Sequence, residues 1–312
     1  MEDHDMNTQP GWQALTKSTA LLCAFIAQIA FAAGGGNAMA GLENATYSGI
    51  EDQPVTLSQG RWEGSPYVEG GAARPAVGLV DDFLLQGDLD ADGQKELVVM
   101  LWQNAGGTGS NVYIAVMKPE NGGFVNISTA LLGDRVKLRG GRIDAGTIIL
   151  DVLQHGDDDA MCCPTELAER SWRLDDGQLE EHPVQVSGKL SVDALEGSNW
   201  RLTDMGNGQP LPQNVEVTLS FDAGRIAGSS ACNRYSAAIR DGERPGDIVI
   251  GPAMVTRKAC PDPLMETEMH FLDALSLVTS FSFRVGSLAL NGQAADGTPF
   301  SMLFSATDPG KP

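Results

Sequence analysis

The segment Gly87-Asp88-Leu89-Asp90-Ala91-Asp92-Gly93-Gln94-Lys95-Glu96-Leu97 concentrates hard oxygen donors in one short stretch. Asp88, Asp90 and Asp92 alternate with other residues, so a tight turn brings three carboxylates together. Gly93 permits the bend, Gln94 can offer its backbone carbonyl, and Glu96 can ligate directly or through water. No nitrogen or sulfur ligand of the kind zinc prefers lies in the loop. Magnesium demands a stricter octahedron, whereas calcium accepts flexible carboxylates. The expected metal set is therefore Asp88, Asp90, Asp92, Gln94 and Glu96, with Ca²⁺ as the cofactor. The competing reading is a solvated acidic turn ahead of a buried strand, for which Asp-Gly is good turn chemistry.

A helix-loop-helix calcium site would need Glu at the twelfth position, where Val99 stands. An apolar strand follows instead of a helix. The segment resembles the calcium loops of FG-GAP and integrin-type repeats, in a single copy.

A second stretch with chemical potential is His155-Gly156-Asp157-Asp158-Asp159-Ala160-Met161-Cys162-Cys163-Pro164-Thr165. His155 with both thiolates would suit a soft metal, but adjacent cysteines are poorly placed around one tetrahedral ion. A vicinal disulfide is a second reading. It is strained, because neighbouring Cα atoms lie about 3.8 Å apart against a usual range of about 4.4–6.8 Å for bonded cysteines. A structural role, redox sensing and metal binding are all open for Cys162 and Cys163. Together with the Gly-Asp-Leu-Asp loop and Leu132-Gly133-Asp134-Arg135-Val136, this stretch resembles an N-terminal module of exported bacterial proteins with no assigned activity.

The elements that must carry these loops are short strands. Leu97–Trp102 and Val112–Met117 are continuous apolar runs of strand length and read as buried strands. Trp172–Leu174 and Gln178-Leu179 flank Asp175-Asp176-Gly177, the signature of a closing hairpin. Residues 183–194 are polar, contain Pro183 and Gly188, and read as a linker. Beyond them lie further β segments and one helix. Asp262 can cap this helix, Pro263 suits its first position, and Phe271, Leu272, Leu275 and Val278 form an apolar stripe. Glu266 and Glu268 lie near the positive end of the helix dipole. The expected fold is mostly β with one prominent helix (α+β). It comprises two β-rich domains, at 41–182 and 195–306, each folding separately, and a tail at 307–312.

Residues 20–33 are apolar apart from Gln28, too short to span a bilayer comfortably but suited to a signal-peptide core. Ala38-Met39-Ala40 then offers a cleavage site before Gly41, so residues 1–40 read as a signal peptide. Acidic Glu2, Asp3 and Asp5 depart from the usual positive start. The formal charge of −20, with no Lys- or Arg-rich stretch, excludes a nucleic-acid partner. Four histidines leave little material for a His-rich metal site.

In the C-terminal half, Trp200-x-Leu202, Gly228-Ser229-Ser230-Ala231-Cys232-Asn233-Arg234-Tyr235, Thr256-Arg257-Lys258-Ala259-Cys260-Pro261 and Glu268-x-x-Phe271-x-x-x-Leu275 occur in order. This order resembles the META domain, the HslJ-like family of bacterial envelope and stress-associated proteins. The resemblance implies a curved sheet packed with one helix and an export signal, and it brings no catalytic residue. Cys232 and Cys260 are either a structural disulfide or a reactive thiol pair. Neither a Cys-x-x-Cys motif nor a nearby histidine activates them, which favours the disulfide and leaves Cys162 with Cys163. Asn233 and Tyr235 read as turn and core residues.

These readings converge on an exported protein of the bacterial envelope, periplasmic or secreted. It would not be an integral membrane protein after cleavage, and its partner would be an envelope protein or ligand. A non-catalytic stress-associated or binding role comes first, since no Gly-x-Ser-x-Gly elbow, Walker loop or dinucleotide fingerprint occurs. The alternatives are a thiol enzyme or sensor using Cys162 or Cys163 with His155 nearby, and a calcium-dependent inhibitor or carbohydrate-binding module. N-terminal sequencing of exported material should give Gly41 as the first residue; a chain that keeps residues 20–33 in the membrane would refute cleavage.

Overall fold

A computed structural model describes residues 35–206 and 211–307. The apolar run at 20–33, and with it most of the expected signal segment, lies outside the described residues. The described part of that segment enters helix α1 (Gly35–Leu42), which runs through the Ala40–Gly41 bond.

The first half continues with β1 (Thr46–Tyr47), β2 (Val55–Thr56), β3 (Arg61–Glu63), β4 (Ala76–Gly87), β5 (Glu96–Asn104), β6 (Asn111–Glu120) and β7 (Gly123–Asp134). Next come β8 (Lys137–Asp144), β9 (Thr147–Gln154), β10 (Glu166–Asp175), β11 (Gln178–Glu181) and β12 (Gln185–Lys189). One antiparallel sheet has the order β3-β4-β5-β6-β7, and a second has β11-β10-β9-β8, with β12 also paired to β10. The turn Asp176-Gly177 has positive φ at both residues, which gives the two-residue hairpin read from the sequence.

Strands β5 and β6 are apolar along their middles because the sheet is covered on both faces. Val98, Met100, Val112, Ile114 and Val116 pack with Leu138, Ile148, Leu150, Val152 and Trp172 of the second sheet. On the other face, Leu97, Val99, Leu101, Tyr113, Ala115 and Met117 pack under Leu42, Tyr47, Val55 and Leu57 from α1, β1, β2 and their connections. A strand buried on both faces has no polar side to display, hence the continuous run rather than alternation.

The second half contains β13 (Asn199–Asp204), β14 (Thr218–Asp222), β15 (Arg225–Ser229), β16 (Arg234–Asp241), β17 (Ile248–Ile250) and β18 (Met254–Val255). Helix α2 (Leu264–Ser276) and strands β19 (Val278–Arg284), β20 (Ser287–Gln293) and β21 (Pro299–Ala306) complete it. The sheet order is β17-β16-β15-β14-β13-β21-β20-β19, and a bridge between Asp247 and Ser280 joins its ends into a curled, barrel-like sheet. Phe271 and Leu275 of α2 enter its core beside Trp200, Phe221, Tyr235 and Phe283.

Several expectations change. Gln185–Lys189, read within a linker, is a strand paired with Glu166–Glu169 of β10. All of its side chains are exposed, so it carries no alternating apolar signal; Leu190, Val192 and Leu195 immediately after it are buried in the core. Leu153 and Leu167 of the first half share that core, and the Arg139 guanidinium lies 5.1 Å from the Phe283 ring centre. Asp262 makes no capping bond: Pro263 holds the cap position, and its carbonyl accepts from the Thr267 amide. Val278 begins β19 rather than extending the helical stripe.

Leu101 and Ile114 sit on opposite faces of the first sheet, both fully buried. Leu101→Ala and Ile114→Ala should each lower unfolding free energy by about 2–5 kcal/mol, measured by urea denaturation. A negligible cost for Leu101→Ala alone would mean that residues 38–57 do not cover that face.

Candidate metal centre

The Asp-rich loop is the connection of the β4–β5 hairpin, closed by the pair Gly87 and Glu96. Buried Leu89 pins it to the core. Gly93 takes φ +86°, a left-handed conformation that suits glycine. One oxygen of each Asp is used to shape the turn. Asp88 Oδ2 accepts from the Gly93 amide at 3.1 Å, Asp90 Oδ1 from the Asp92 amide at 3.1 Å, and Asp92 Oδ1 from the Gln94 amide at 2.7 Å. Glu96 is fully buried, and its Oε2 accepts from the Leu89 amide at 2.8 Å.

The remaining oxygens are those available to a cation. Asp88, Asp90 and Glu96 each offer one carboxylate oxygen within 4.8 Å of the others. Asp88 Oδ1 and Glu96 Oε1 are buried without a hydrogen-bond partner. A buried carboxylate oxygen with no donor is costly, so these two orphaned atoms fit a cation, and the all-oxygen donor set fits a hard one. Asp92 joins the cluster through Lys118: Lys118 Nζ lies 2.7 Å from Asp90 Oδ2, 2.6 Å from Asp92 Oδ2 and 3.7 Å from Glu96 Oε1. Those hydrogen bonds raise the Lys118 ammonium above its ordinary range and, with the Gln94 amide, hold Asp92 below the usual carboxylate range. Gln94 is in the turn, seen here through its amide.

Lys118 was not visible as a site residue. The register pairs Leu97 with Met117, which sets Lys118 opposite Glu96 on the neighbouring strand. The only sequence signal was a lysine ending the apolar run Val112–Met117.

Cys162 and Cys163 form a vicinal disulfide on an exposed turn, with Met161 78% exposed. Asp159 ties the base of this loop, accepting from the Gly156 amide at 3.0 Å, the Thr165 amide at 2.6 Å and the Thr165 hydroxyl at 2.5 Å. Desolvation pushes the Asp159 carboxyl up, but these donors outweigh it and hold the group below the ordinary range. Arg135 donates to the carbonyls of Met161 at 2.7 Å and Thr108 at 2.6 Å, joining this loop to the one before β6. His155 Nε2 is buried without a partner.

In the second half, Cys232 and Cys260 are bonded, with Cα atoms 5.9 Å apart. Beside them is a carboxylate that sequence reasoning assigned to the helix dipole. Glu268 is instead buried, on the same helix face as Phe271 and Leu275, a placement its spacing of three and seven could have indicated. Its Oε2 accepts from Ser230 Oγ and the Asn233 amide, both at 2.7 Å, and its Oε1 from Asn233 Nδ2 at 2.9 Å. Asn233 Oδ1 accepts from Thr256 Oγ1 at 2.8 Å and the Lys258 amide at 2.7 Å. Asn233 thus welds the Cys232 turn, the Cys260 segment and α2. Tyr235 is a core residue with its hydroxyl on the Thr218 carbonyl at 2.9 Å.

A curled sheet closed by one helix and cross-linked beside a buried Glu–Asn network describes the second half. Residues 193–303 match the family model of the META domain. No curated protein matches the chain. Among solved structures, the chain is similar to a protein from Burkholderia xenovorans determined by NMR. Identity is 22% over 37% of this chain and 86% of that one, with a TM-score of 0.30. Among the described residues, no helix is long and apolar enough to cross a membrane.

Asn233→Asp, almost unchanged in volume, replaces a donor to Glu268 with a second carboxylate. It should lower stability by at least about 2 kcal/mol at neutral pH, read by urea unfolding. A cost below about 0.5 kcal/mol would show that the network does not hold the domain together.

Proposed function

We propose that this chain is an exported bacterial envelope protein with a non-catalytic binding or stress-associated role, carrying a calcium loop at Asp88–Glu96. The observation that carries the exported reading is the pair of disulfides, because such bonds persist in oxidising compartments. The META domain supports an envelope or stress-associated setting. An open groove lined by Val255, Arg257, Lys258, Glu268 and Leu272 is the surface such a binding role would use. The orphaned oxygens of Asp88 and Glu96 support calcium.

A second reading, thiol-based redox sensing, is favoured by the exposure of Cys162 and Cys163. Cys162→Ser or Cys163→Ser would abolish a thiol function while leaving the fold intact, and would leave a binding role unchanged.

Cell fractionation followed by peptide mapping without reduction tests the main reading. The chain should be recovered outside the cytoplasm with a 232–260 cross-link, and cytoplasmic chain with free thiols would refute it. For the metal, extracellular calcium modules bind at about 10⁻⁴–10⁻³ M. Millimolar Ca²⁺ should therefore raise the melting temperature, since the ion binds the folded state preferentially. Asp90→Ala should abolish the rise without unfolding the chain; an unchanged melting temperature for the wild type would leave the loop an acidic turn.

A further inference from the structure

The turn leaves four carboxylate oxygens free of backbone amides: Asp88 Oδ1, Asp90 Oδ2, Asp92 Oδ2 and Glu96 Oε1. Asp88, Asp90 and Glu96 each bring an oxygen within 4.8 Å of the others, and Lys118 ties Asp92 to that group. Each of the four acids spends its other oxygen on a backbone amide. Two of the four are met by Lys118 Nζ, at 2.7 Å and 2.6 Å. A third, Glu96 Oε1, lies 3.7 Å from Nζ, beyond hydrogen-bond reach, and the fourth, Asp88 Oδ1, has no partner. Glu96 is fully buried, so its orphaned oxygen is aimed into the cluster rather than at solvent.

We propose that the Lys118 ammonium is a built-in competitor for this site, so that a hard divalent cation binds the loop only by displacing it from Asp90 and Asp92. This rests on the calcium reading above and adds what sets the affinity.

Charge and geometry carry the inference. One ammonium lies within 4 Å of three carboxylates, and Asp88 is a fourth in the same turn, so most of the negative charge is left uncompensated. An ammonium also presents three hydrogens along fixed directions, whereas a metal ion accepts oxygens from every side. Calcium takes six to eight oxygens, more than an ammonium can engage, and would reach the Asp88 and Glu96 atoms that Lys118 leaves bare. The two cations cannot share Asp90 Oδ2 and Asp92 Oδ2 at contact distance without strong repulsion. Lys118 can leave: its side chain is 26% exposed and sits on the strand next to the loop rather than within it. Displacement consumes part of the binding free energy, which holds the loop to weak binding and makes occupancy follow the surrounding calcium. In its absence Lys118 keeps the loop in its folded shape.

Isothermal titration of the full chain with CaCl₂ at constant ionic strength tests this on the wild type, Lys118→Met and Lys118→Arg, with melting curves confirming that each is folded. Lys118→Met keeps the aliphatic stem and removes the charge. It should bind calcium about tenfold more tightly than the wild type or better, while Lys118→Arg should gain nothing. Lys118→Gln serves the same purpose should the Met variant fail to fold. Equal affinities in all variants would overturn the competition and leave the calcium loop standing. No binding by either the wild type or the charge-removed variant would overturn the calcium reading and this proposal with it.

Discussion

The pairing of β5 with β6 is the constraint on which the first half of the structure depends. Both strands are buried on both faces, so neither can tolerate a polar side chain along its middle. Polar chemistry is pushed to the strand ends. At one end stand Glu96 and Lys118, set opposite each other by the ladder, with the Asp-rich loop closing over them. At the other, the Gln103 amide donates to Glu51 and its carbonyl oxygen accepts from Asn111. The loop is held in shape by a rigid sheet edge beneath it, the condition a metal-binding turn needs if its ligands are to meet.

Among the described residues two glutamates are buried, and they are treated in opposite ways. Glu268 is surrounded by neutral donors from Ser230 and Asn233, which satisfy both oxygens. That arrangement is complete, and it fastens α2 to the two cysteine-bearing turns. Glu96 has one oxygen satisfied and one bare, with a lysine just out of reach. A satisfied buried carboxylate serves architecture, whereas a half-satisfied one is a place where something else can bind.

Much of this was legible in the residues. The continuous runs Leu97–Trp102 and Val112–Met117 announced buried strands, Asp175-Asp176-Gly177 announced a hairpin, and the ordered motifs from Trp200 to Leu275 pointed to the META domain. What escaped was mostly pairing across the sheets. Lys118 meets the loop only because Leu97 pairs with Met117, and nothing in the six-residue connection at 105–110 dictates that register. Gln185–Lys189 escaped because an edge strand with every side chain in solvent has no period to detect. The Asp262 cap failed because Pro263 itself takes the cap position. Glu268 was misassigned because a charged residue near a helix start is usually solvated, while here tertiary donors outweigh the desolvation cost.

The closure of the curled sheet has a temporal consequence. Its first strand, Asn199–Asp204, pairs with Pro299–Ala306, the last one. A ribosome delivers these partners seconds apart, at about 5–20 residues per second. Until residue 306 has emerged, β13 and β20 each present an unpaired edge next to a forming apolar core. The domain is therefore aggregation-prone as a nascent chain in proportion to how late its final strand arrives. Its assembly is set by when residue 306 emerges, rather than by how quickly any one hairpin can form.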